Sequence, residues 1–276
     1  MQGKYSRALF SIVLGLFALI SVYPLIWLVL NSFKDTADIV TGDAFALPRY
    51  LKWENYHYAI VERGIMRYFA NSMINTILTI VLVVTLASML AYACTRMIWK
   101  GGGKTLSVIT LGILFPSQIV VAQIFVLIRT LQLSNTRWSL ILTVGAFNLA
   151  FATLIAAGFL RTIPNEVEEA AVVDGAGIWS IFFRIMLPIL RPAVATVAIN
   201  VFLSSWNEFL YALILIRDEG LKTLPISLTM FDSLRYGKDY GALFATMVIT
   251  SIIPIVMYIA FSSQVENALT AGAILK

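Results

Sequence analysis

Charged residues are scarce in this sequence. Only 13% of its 276 residues are Asp, Glu, Lys or Arg, whereas soluble domains carry about 25%. A water-soluble fold of this size cannot cover its surface with so few charges, and 59% of the residues are hydrophobic. The composition excludes a soluble globular protein and indicates a membrane protein.

Cysteine and histidine are almost absent. Cys94 is the one cysteine and His57 the one histidine, so the sequence excludes an intrachain disulfide and argues against a Cys/His metal cluster. Cys94 lies near the end of an apolar run, where we expect a small packed thiol and not a reactive one. We expect neither a metal nor an organic cofactor.

A long basic block is also missing. The formal net charge is +5, but no stripe of arginines alternates with stacking aromatic residues, as nucleic-acid-binding surfaces require. A modestly basic membrane protein accounts for this charge. We expect membrane lipid as a partner and no nucleic acid.

Six long apolar segments dominate the chain, and Glu208 is the one charged residue inside them. Each exceeds the roughly 20 residues that an α-helix needs to cross the hydrocarbon core. None alternates in polarity as a barrel strand does. The segments are residues 8–31, 68–95, 105–128, 138–160, 192–216 and 240–265. The sequence therefore predicts an all-α integral membrane protein with six transmembrane helices.

Six spans place both termini on one side of the membrane, but the charges do not say which side. If the termini are inside, the inner segments hold nine Lys and Arg and the outer segments eleven, so the positive-inside rule does not decide. Only Arg96, Lys100 and Lys104, close together in a short loop without acids, favour one side as the inner one.

The segment of residues 162–191, between the fourth and fifth spans, is too polar to span and too apolar to be a flexible linker. Pro164 suits the first turn of a helix, and three glutamates follow at 166, 168 and 169, near the positive end of the helix dipole. Asp174 and Gly175 mark the end of this helix, because glycine is favoured just past a helix terminus. The helix presents Ala170 and Ala171 as a small-residue patch that another protein can approach closely.

A second short helix is predicted from Ile178 to Met186, with Pro188 as its end. Its residues Ile178, Phe182 and Ile185 share one face, which suits the membrane surface or the base of other spans. The whole segment is therefore a helix, a glycine turn and a helix at the membrane boundary.

Three elements of this segment, at fixed spacing, resemble the cytoplasmic coupling loop of ABC importer permeases. They are Glu-Ala-Ala at 169–171, Gly175 after three residues, and Ile-x-Leu-Pro at 185–188 after nine more. The resemblance to maltose-type sugar permeases covers nearly the whole chain. Further matching stretches are residues 31–34, 54–56, 205–209, 223–225 and 269–272. The tail departs from the family pattern because it lacks the usual extra glycine.

The resemblance implies a permease subunit that imports a sugar or oligosaccharide across the cell (inner or plasma) membrane, with both termini cytoplasmic. It implies four kinds of partner: a second homologous permease, two ATP-binding subunits, an extracytoplasmic solute-binding protein and the sugar itself. Residues 1–66 would form the first transmembrane helix and an external loop. Residues 67–276 would form the core of five helices, with the coupling loop at about 162–191 and a cytoplasmic tail.

The resemblance also implies which residues make the contacts. The cytoplasmic coupling helix would seat in a cleft of the ATPase through Glu169, Ala170, Ala171, Asp174 and Gly175. The tail would reach toward the ATPase pair through Thr270, Ala271 and Gly272. The loop of residues 217–239 would touch the binding protein.

The fifth span carries a polar stripe, which the residues indicate independently of the resemblance. At about 100° per residue, its polar side chains fall on one narrow face with the carboxylate at the edge: Asn200, Ser204, Asn207, Glu208 and Tyr211. Unpaired polar groups are costly in lipid, so this face should line a water-filled path or contact another helix. Hydroxyl and amide groups beside aromatic rings suit a sugar, and both interpretations stay open.

Other polar residues within the spans are interpreted as helix–helix contacts. Asn71 and Asn75 lie four residues apart on one face of the second span. Gln118 and Gln123 follow Pro116 in the third, where the proline is expected to kink the helix.

Three other functions fit the residues less well. The resemblance of the fifth-span and tail motifs to those of sugar permeases argues against an importer of a non-sugar solute. An ATP-independent secondary transporter or channel should show inverted repeats or an ionisable relay, but Glu208 stands alone. A membrane enzyme would need paired carboxylates or a nucleophile arrangement, which the sequence does not offer. A glycine-rich stretch at 100–105 has Ile98 where a phosphate-binding loop needs glycine, so ATP hydrolysis is expected in a partner subunit.

Overall fold

The computed structural model describes the backbone of residues 2–42, 45–233 and 237–274, and the side chains of residues 10–42, 45–229, 231 and 239–261. Helices form almost all of this part of the chain, which confirms the predicted all-α membrane fold. The α-helices are α1 Gln2–Ser32, α2 Thr36–Thr41, α3 Glu54–His57, α4 Ile65–Thr95, α5 Gly102–Leu111, α6 Val121–Thr130, α7 Arg137–Leu160, α8 Glu166–Val173, α9 Ile178–Ser180, α10 Leu187–Ile189, α11 Arg191–Trp206, α12 Leu210–Leu215, α13 Leu224–Ser227 and α14 Tyr240–Ile274.

Short π-helical and 3₁₀-helical stretches connect several of these α-helices. Two stretches are π-helical, Tyr58–Glu62 and Ile181–Met186, and three are 3₁₀-helical, Gly112–Leu114, Ser117–Val120 and Leu228–Phe231. Two two-residue strands, β1 Asp232–Ser233 and β2 Gly237–Lys238, pair antiparallel. The chain forms two compact units, Met1–Arg67 with Ser227–Ile253, and Tyr68–Ile226 with Pro254–Lys276.

Four helices are long and apolar enough to cross a membrane on their own: Phe10–Ser32, Ile65–Thr95, Arg137–Leu160 and Tyr240–Phe261. Two further apolar helix pairs are sharply bent, Gly102–Leu114 with Ser117–Thr130 by 84° and Ile178–Ile189 with Arg191–Trp206 by 74°. The described residues thus provide four spans, or six when each bent pair counts as one. The kink expected at Pro116 is confirmed, because Pro116 lies between the two halves of the first pair.

In the second unit, α7 is the most buried span. It packs against α5, α11 and α12. Small residues on its surface, such as Ala152 and Ala156, let neighbouring helices approach closely. At Gly145 a methyl group would lie 3.4 Å from Leu82 of α4, so these two helices are in tight contact there.

In the first unit, the end of α1 is joined to the segment that follows it by buried polar groups. The side-chain amide of Asn55 donates hydrogen bonds to the backbone carbonyls of Ser32 and Lys34, each at 2.9 Å. A methyl group at Gly241, at the start of α14, would lie 2.5 Å from the Asn55 amide nitrogen. Glycine is therefore required there by close approach, and stretches 31–34 and 54–56 of the sequence meet in space.

An ion pair stabilises the same segment after α1. The Lys52 ammonium donates to Asp35 Oδ1, and the Tyr50 hydroxyl donates to Asp35 Oδ2. The hydrogen bond from Lys52, followed by that from Tyr50, holds the pKa of the Asp35 carboxyl below its usual value. The same carboxylate raises the pKa of Lys52. Both side chains are about a third exposed, so water screens this pair and its contribution to stability is small.

Candidate functional site: the coupling segment and the fifth span

The helix predicted in the segment of residues 162–191 is α8, Glu166–Val173. Its first turn carries the three glutamates, and Asp174 is its C-cap. Gly175 follows with φ +78°, and its N–H donates to the Val172 carbonyl at 2.9 Å. The N–H of Ala176 donates to the Ala171 carbonyl, also at 2.9 Å. This pair of hydrogen bonds is a Schellman motif, so the predicted glycine stop is confirmed.

The two alanines of α8 lie on different faces, which corrects the predicted small-residue patch. Ala171 is 6% exposed and packs into an apolar cluster with Ile163, Phe182 and Leu160. Ala170 is exposed. The patch is wrong for Ala171 because a helix that rests on the bundle must bury one stripe of side chains.

The outward surface of α8 carries both acidic and apolar side chains. Glu169 and Asp174 are exposed. Val172 and Val173 of α8 are also exposed, Val173 to 86%, and so is Trp179 of α9. We call the exposed residues Glu169, Ala170, Val172, Val173 and Asp174 the outer face of α8. An exposed apolar group beside acidic residues is typical of a protein-contact surface.

The second helix of the segment differs from its prediction in two ways. Its middle part, Ile181–Met186, is π-helical, which rotates the buried face to Ile181, Phe182 and Met186 and leaves Ile178 exposed. The helix also continues through Pro188 to Ile189, because a proline in the first turn of α10 loses no hydrogen bond. The 74° bend follows at Leu190.

Arg96, which directly follows α4, binds the inner side of this segment. Its guanidinium donates through Nη1 to the side-chain carbonyl of Asn165 and through Nη2 to the backbone carbonyls of Leu160 and Ile163. Its Nε lies 3.4 Å from Glu168 Oε1 as an ion pair, without the alignment of a hydrogen bond. The sequence alone identifies Arg96 only as one of the charges that favour an inner side, because its partners are 64 to 72 positions away.

The polar stripe of the fifth span is interrupted, which corrects its predicted geometry. α11 ends at Trp206, and α12 begins at Leu210. Asn200, Ser204 and Asn207 lie exposed at or before this break. Tyr211 follows the break and is only 3% exposed, because the loss of helical register turns its side chain toward the core.

Within the break, Glu208 caps the next helix. Its Oε1 accepts a hydrogen bond from the Tyr211 backbone N–H at 2.8 Å. The Tyr211 hydroxyl donates to the Ser117 carbonyl at 2.5 Å, and its ring stacks on Phe147 at 5.8 Å. Ser204 Oγ accepts a hydrogen bond from the Asn148 side-chain amide of α7 at 3.0 Å. The fifth span therefore exposes amides on one side and locks its aromatic residue on the other.

Residues 217–225, the first half of the loop that follows α12, are bound to the ends of α4 and α7. The Asn71 side-chain amide donates to the carbonyls of Gly220 and Lys222 at 2.8 and 2.9 Å. Arg137 Nη2 in turn donates to Asn71 Oδ1 at 2.6 Å. Ser72 Oγ accepts from the Leu224 N–H at 2.8 Å. Asn71 of α4 thus makes the helix–helix contact that the sequence predicted, to Arg137 of α7, and it also binds the loop.

The other predicted residues are placed as follows. Gln118 is exposed at the bend of the third span, beside an open hollow of about 550 Å³ that is otherwise apolar. The predicted tail contact at Thr270, Ala271 and Gly272 belongs to α14 by backbone, but these side chains lie outside the described residues. Among the described residues, no three His, Cys, Asp or Glu side chains gather as a metal site.

These features define a class: a multi-span helical membrane protein with a capped surface helix between its fourth and fifth predicted spans. The sequence profile of the family described as "Binding-protein-dependent transport system inner membrane component" matches residues 84–267. The chain belongs to this family. It is therefore a multi-pass inner-membrane component of a transport system that works with a binding protein.

Known proteins of similar sequence span nearly the same length. The chain is 36% identical to the diacetylchitobiose uptake system permease protein NgcG of Streptomyces coelicolor, over 94% of this chain and 86% of that protein. It is 32% identical to the arabinooligosaccharides transport system permease protein AraQ of Halalkalibacterium halodurans, over 96% and 95%.

A similar structure supports the fold. A chain of a bacterial ABC transporter that imports the acidic polysaccharide alginate superposes with a TM-score of 0.85, at 22% identity, over 95% of this chain and 97% of that chain. At this identity the likeness establishes a shared architecture.

Proposed function

We propose that this chain is the permease subunit of an ABC importer for a sugar or oligosaccharide. The observation that carries the proposal is the similarity to permeases named for diacetylchitobiose and arabinooligosaccharide uptake, which extends over more than 90% of this chain. Loops and spans alike are included in that similarity, so it is not limited to the segment that all such permeases share. In this proposal residues 1–66 supply the first span and external loop, and residues 67–276 the core.

The chain itself supplies no ATP chemistry in this proposal, and ATP hydrolysis belongs to two partner subunits. The outer face of α8, with Glu169, Ala170 and Asp174, would seat in a cleft of one ATPase subunit. Ala171 and Gly175 support this contact from behind, by packing α8 onto the bundle and by ending it. Thr270, Ala271 and Gly272 would add a tail contact. These contacts place the coupling segment and both termini in the cytoplasm.

The remaining proposed partners are a second homologous permease and an extracytoplasmic binding protein. The loop of residues 217–239 is the proposed contact with the binding protein, and the hydrogen bonds to Asn71 and Ser72 support it because they hold part of that loop in a defined shape. The proposed sugar path runs along Asn200, Ser204 and Asn207, with Glu208 at its edge. Exposed amides and hydroxyls there suit hydroxyl groups of a sugar.

The test is uptake into proteoliposomes that are loaded with MgATP. They contain the transporter, which is purified through a tag on this chain. Labelled diacetylchitobiose, arabinotriose and maltose serve as probes, with glutamine as a non-sugar solute. We expect ATP-dependent uptake of at least one sugar and none of glutamine. Uptake of glutamine alone would indicate an importer with another cargo. Uptake without ATP or any ATPase subunit would refute the importer.

A charge reversal in the same assay tests the coupling contact. Glu169→Lys should abolish uptake while the assembly stays in the membrane, because it inverts the charge of the outer face of α8. The matched control is Glu166→Lys, which makes the same change on the same helix outside the family motif. Equal uptake by the two variants would count against the coupling role of Glu169.

A further inference from the structure

We infer that Arg96 is the positioning residue that joins the coupling helix α8 to α4 and α7, so that the three move as one body. This inference rests on the proposed function, because it concerns how movement of α8 reaches the spans. It assigns a role to a side chain that lies outside the coupling motif and outside the outer face of α8.

One guanidinium contacts all three elements. Arg96 extends from the end of α4, and its Nη2 donates to Leu160, the last residue of α7, and to Ile163 beyond it. Its Nη1 donates to Asn165, the N-cap position of α8. The ion pair with Glu168 reaches the first turn of α8 at 3.4 Å. No apolar contact alone could define the positions of three helix ends in this way.

The ion pair of Arg96 and Glu168 is buried, so water and salt screen it less than a surface pair. The side chains of Arg96 and Glu168 are 6% and 17% exposed. The other carboxylate oxygen of Glu168 accepts a hydrogen bond from the Tyr92 hydroxyl of α4 at 3.1 Å. Charge-assisted bonds that are shielded from water hold their geometry more firmly than surface pairs. α8 is thus bound to α4 at two points.

The electrostatics also favour a cation at this place. The C-terminal end of α7 presents backbone carbonyls and the negative end of its dipole, and the first turn of α8 presents a carboxylate. A planar guanidinium with five donors can bind carbonyls and a carboxylate at once, whereas a lysine ammonium cannot match this fork. Arginine is therefore required by geometry and not by charge alone.

Without Arg96, α8 is held mainly by apolar packing. The helix has eight residues, too few to be stable without tertiary contacts. Its buried contacts are those of Ala171 and the partly buried Val167. Such contacts resist separation but allow a small helix to slide, so a push on α8 would no longer move α4 and α7 with it.

Spin-label distances test this rigid connection directly. In a Cys94→Ser background, nitroxides are attached at Glu166→Cys on α8 and Val81→Cys on α4, both exposed positions. In the assembled transporter we expect the same distance distribution with and without ATP. In the Arg96→Ala variant the distribution should shift or broaden when ATP is added. An ATP-independent distribution in Arg96→Ala would overturn the inference.

Uptake of diacetylchitobiose per ATP hydrolysed is the functional readout, because loss of folded protein lowers both rates together and leaves this ratio unchanged. The ratio should fall by about tenfold in Arg96→Ala and less in Arg96→Lys. Arg161→Ala is the matched control, because it removes an exposed arginine one residue beyond α7 and should leave the ratio unchanged. An unchanged ratio in Arg96→Ala would also overturn the inference.

If Arg96→Ala does not accumulate, Glu168→Gln decides, because it removes the ion pair and keeps the size of the side chain. A normal ratio and a normal distance distribution in Glu168→Gln would then refute the inference. Failure of the proposed function is seen separately, as a parent transporter with intact Arg96 that neither hydrolyses ATP nor takes up any probe sugar.

Discussion

At the scale of single residues, Gly175 shows how backbone conformation ends the coupling helix. Its φ of +78° lies in the left-handed region, where a Cβ atom costs roughly 1–2 kcal/mol. Among the described residues, no atom beyond Gly175 and its two chain neighbours lies within 4 Å of the position that a Cβ would occupy. The need for glycine therefore comes from the backbone angle and not from space.

Because the backbone angle and not the space requires glycine at position 175, different substitutions there should lower uptake to different extents. Gly175→Ala should lower ATP-driven uptake more than Gly175→Asn, because asparagine tolerates the left-handed conformation better than alanine. The measurement is initial uptake rate in proteoliposomes at equal amounts of assembled transporter. Gly177→Ala is the control, since Gly177 has open space and an ordinary φ of −74°. Equal losses in Gly175→Ala and Gly177→Ala would contradict the explanation.

Tyr211 and Ala171 show the limit of prediction at this scale. The motif placed Ala171 in the segment that forms α8, and local signals placed the end of that helix at Asp174. Which of the two alanines faces outward depends on how α8 rests on Phe182 and Leu160, and these contacts come from other elements. The same holds for Tyr211, whose partners Ser117 and Phe147 are 94 and 64 positions away.

At the scale of elements, the broken helices are the main departure from the sequence prediction. Hydropathy indicates that an apolar stretch is long enough to cross a membrane, but it carries no information on a break inside the stretch. The third span bends by 84° at Pro116, which proline makes predictable. The break after Trp206 has no proline, and Glu208 stabilises it by capping α12.

The loop after α12 provides a prediction about an element. Asn71→Ala removes two hydrogen bonds to residues 217–225, each worth about 1 kcal/mol. The amide hydrogens of this loop should then exchange with deuterium roughly tenfold faster or more. Hydrogen–deuterium exchange with mass spectrometry measures this effect on the purified transporter.

The control for this loop is Asn200→Ala, which removes an exposed amide from α11 and should leave exchange in residues 217–225 unchanged. Unaltered loop exchange in Asn71→Ala would show that Ser72 and Asn135, which also bind this loop, are sufficient to hold it.

At the scale of the whole molecule, the proposed orientation of the chain in the membrane is a feature that the count of Lys and Arg could not decide. The coupling segment and the Arg96–Lys104 region should face the cytoplasm, and the loop after α12 should face outward. Both regions offer exposed side chains, Ile98 in the first and Glu219 in the second. The single cysteine makes labelling simple, because one substitution removes it.

Labelling in right-side-out and inverted membrane vesicles tests the orientation. In a Cys94→Ser background, a membrane-impermeant maleimide should label Glu219→Cys in right-side-out vesicles and Ile98→Cys in inverted ones. Ile98 lies outside the outer face of α8, so a bound ATPase subunit is not expected to shield it. The reverse pattern would place the coupling segment on the wrong side for ATP and end the proposed mechanism.

The sequence by itself determined the class of the protein, the location of its apolar segments and the capped helix α8. These features depend on bilayer thickness and on interactions between near neighbours in the chain, which composition and spacing report directly. Only the tertiary structure decided the inward turn of Ala171 and Tyr211, the break of the fifth span and the network of Arg96. These depend on contacts between separate elements, which for Tyr211 and Arg96 join residues 64 or more positions apart, and the sequence carries no local signal for such contacts.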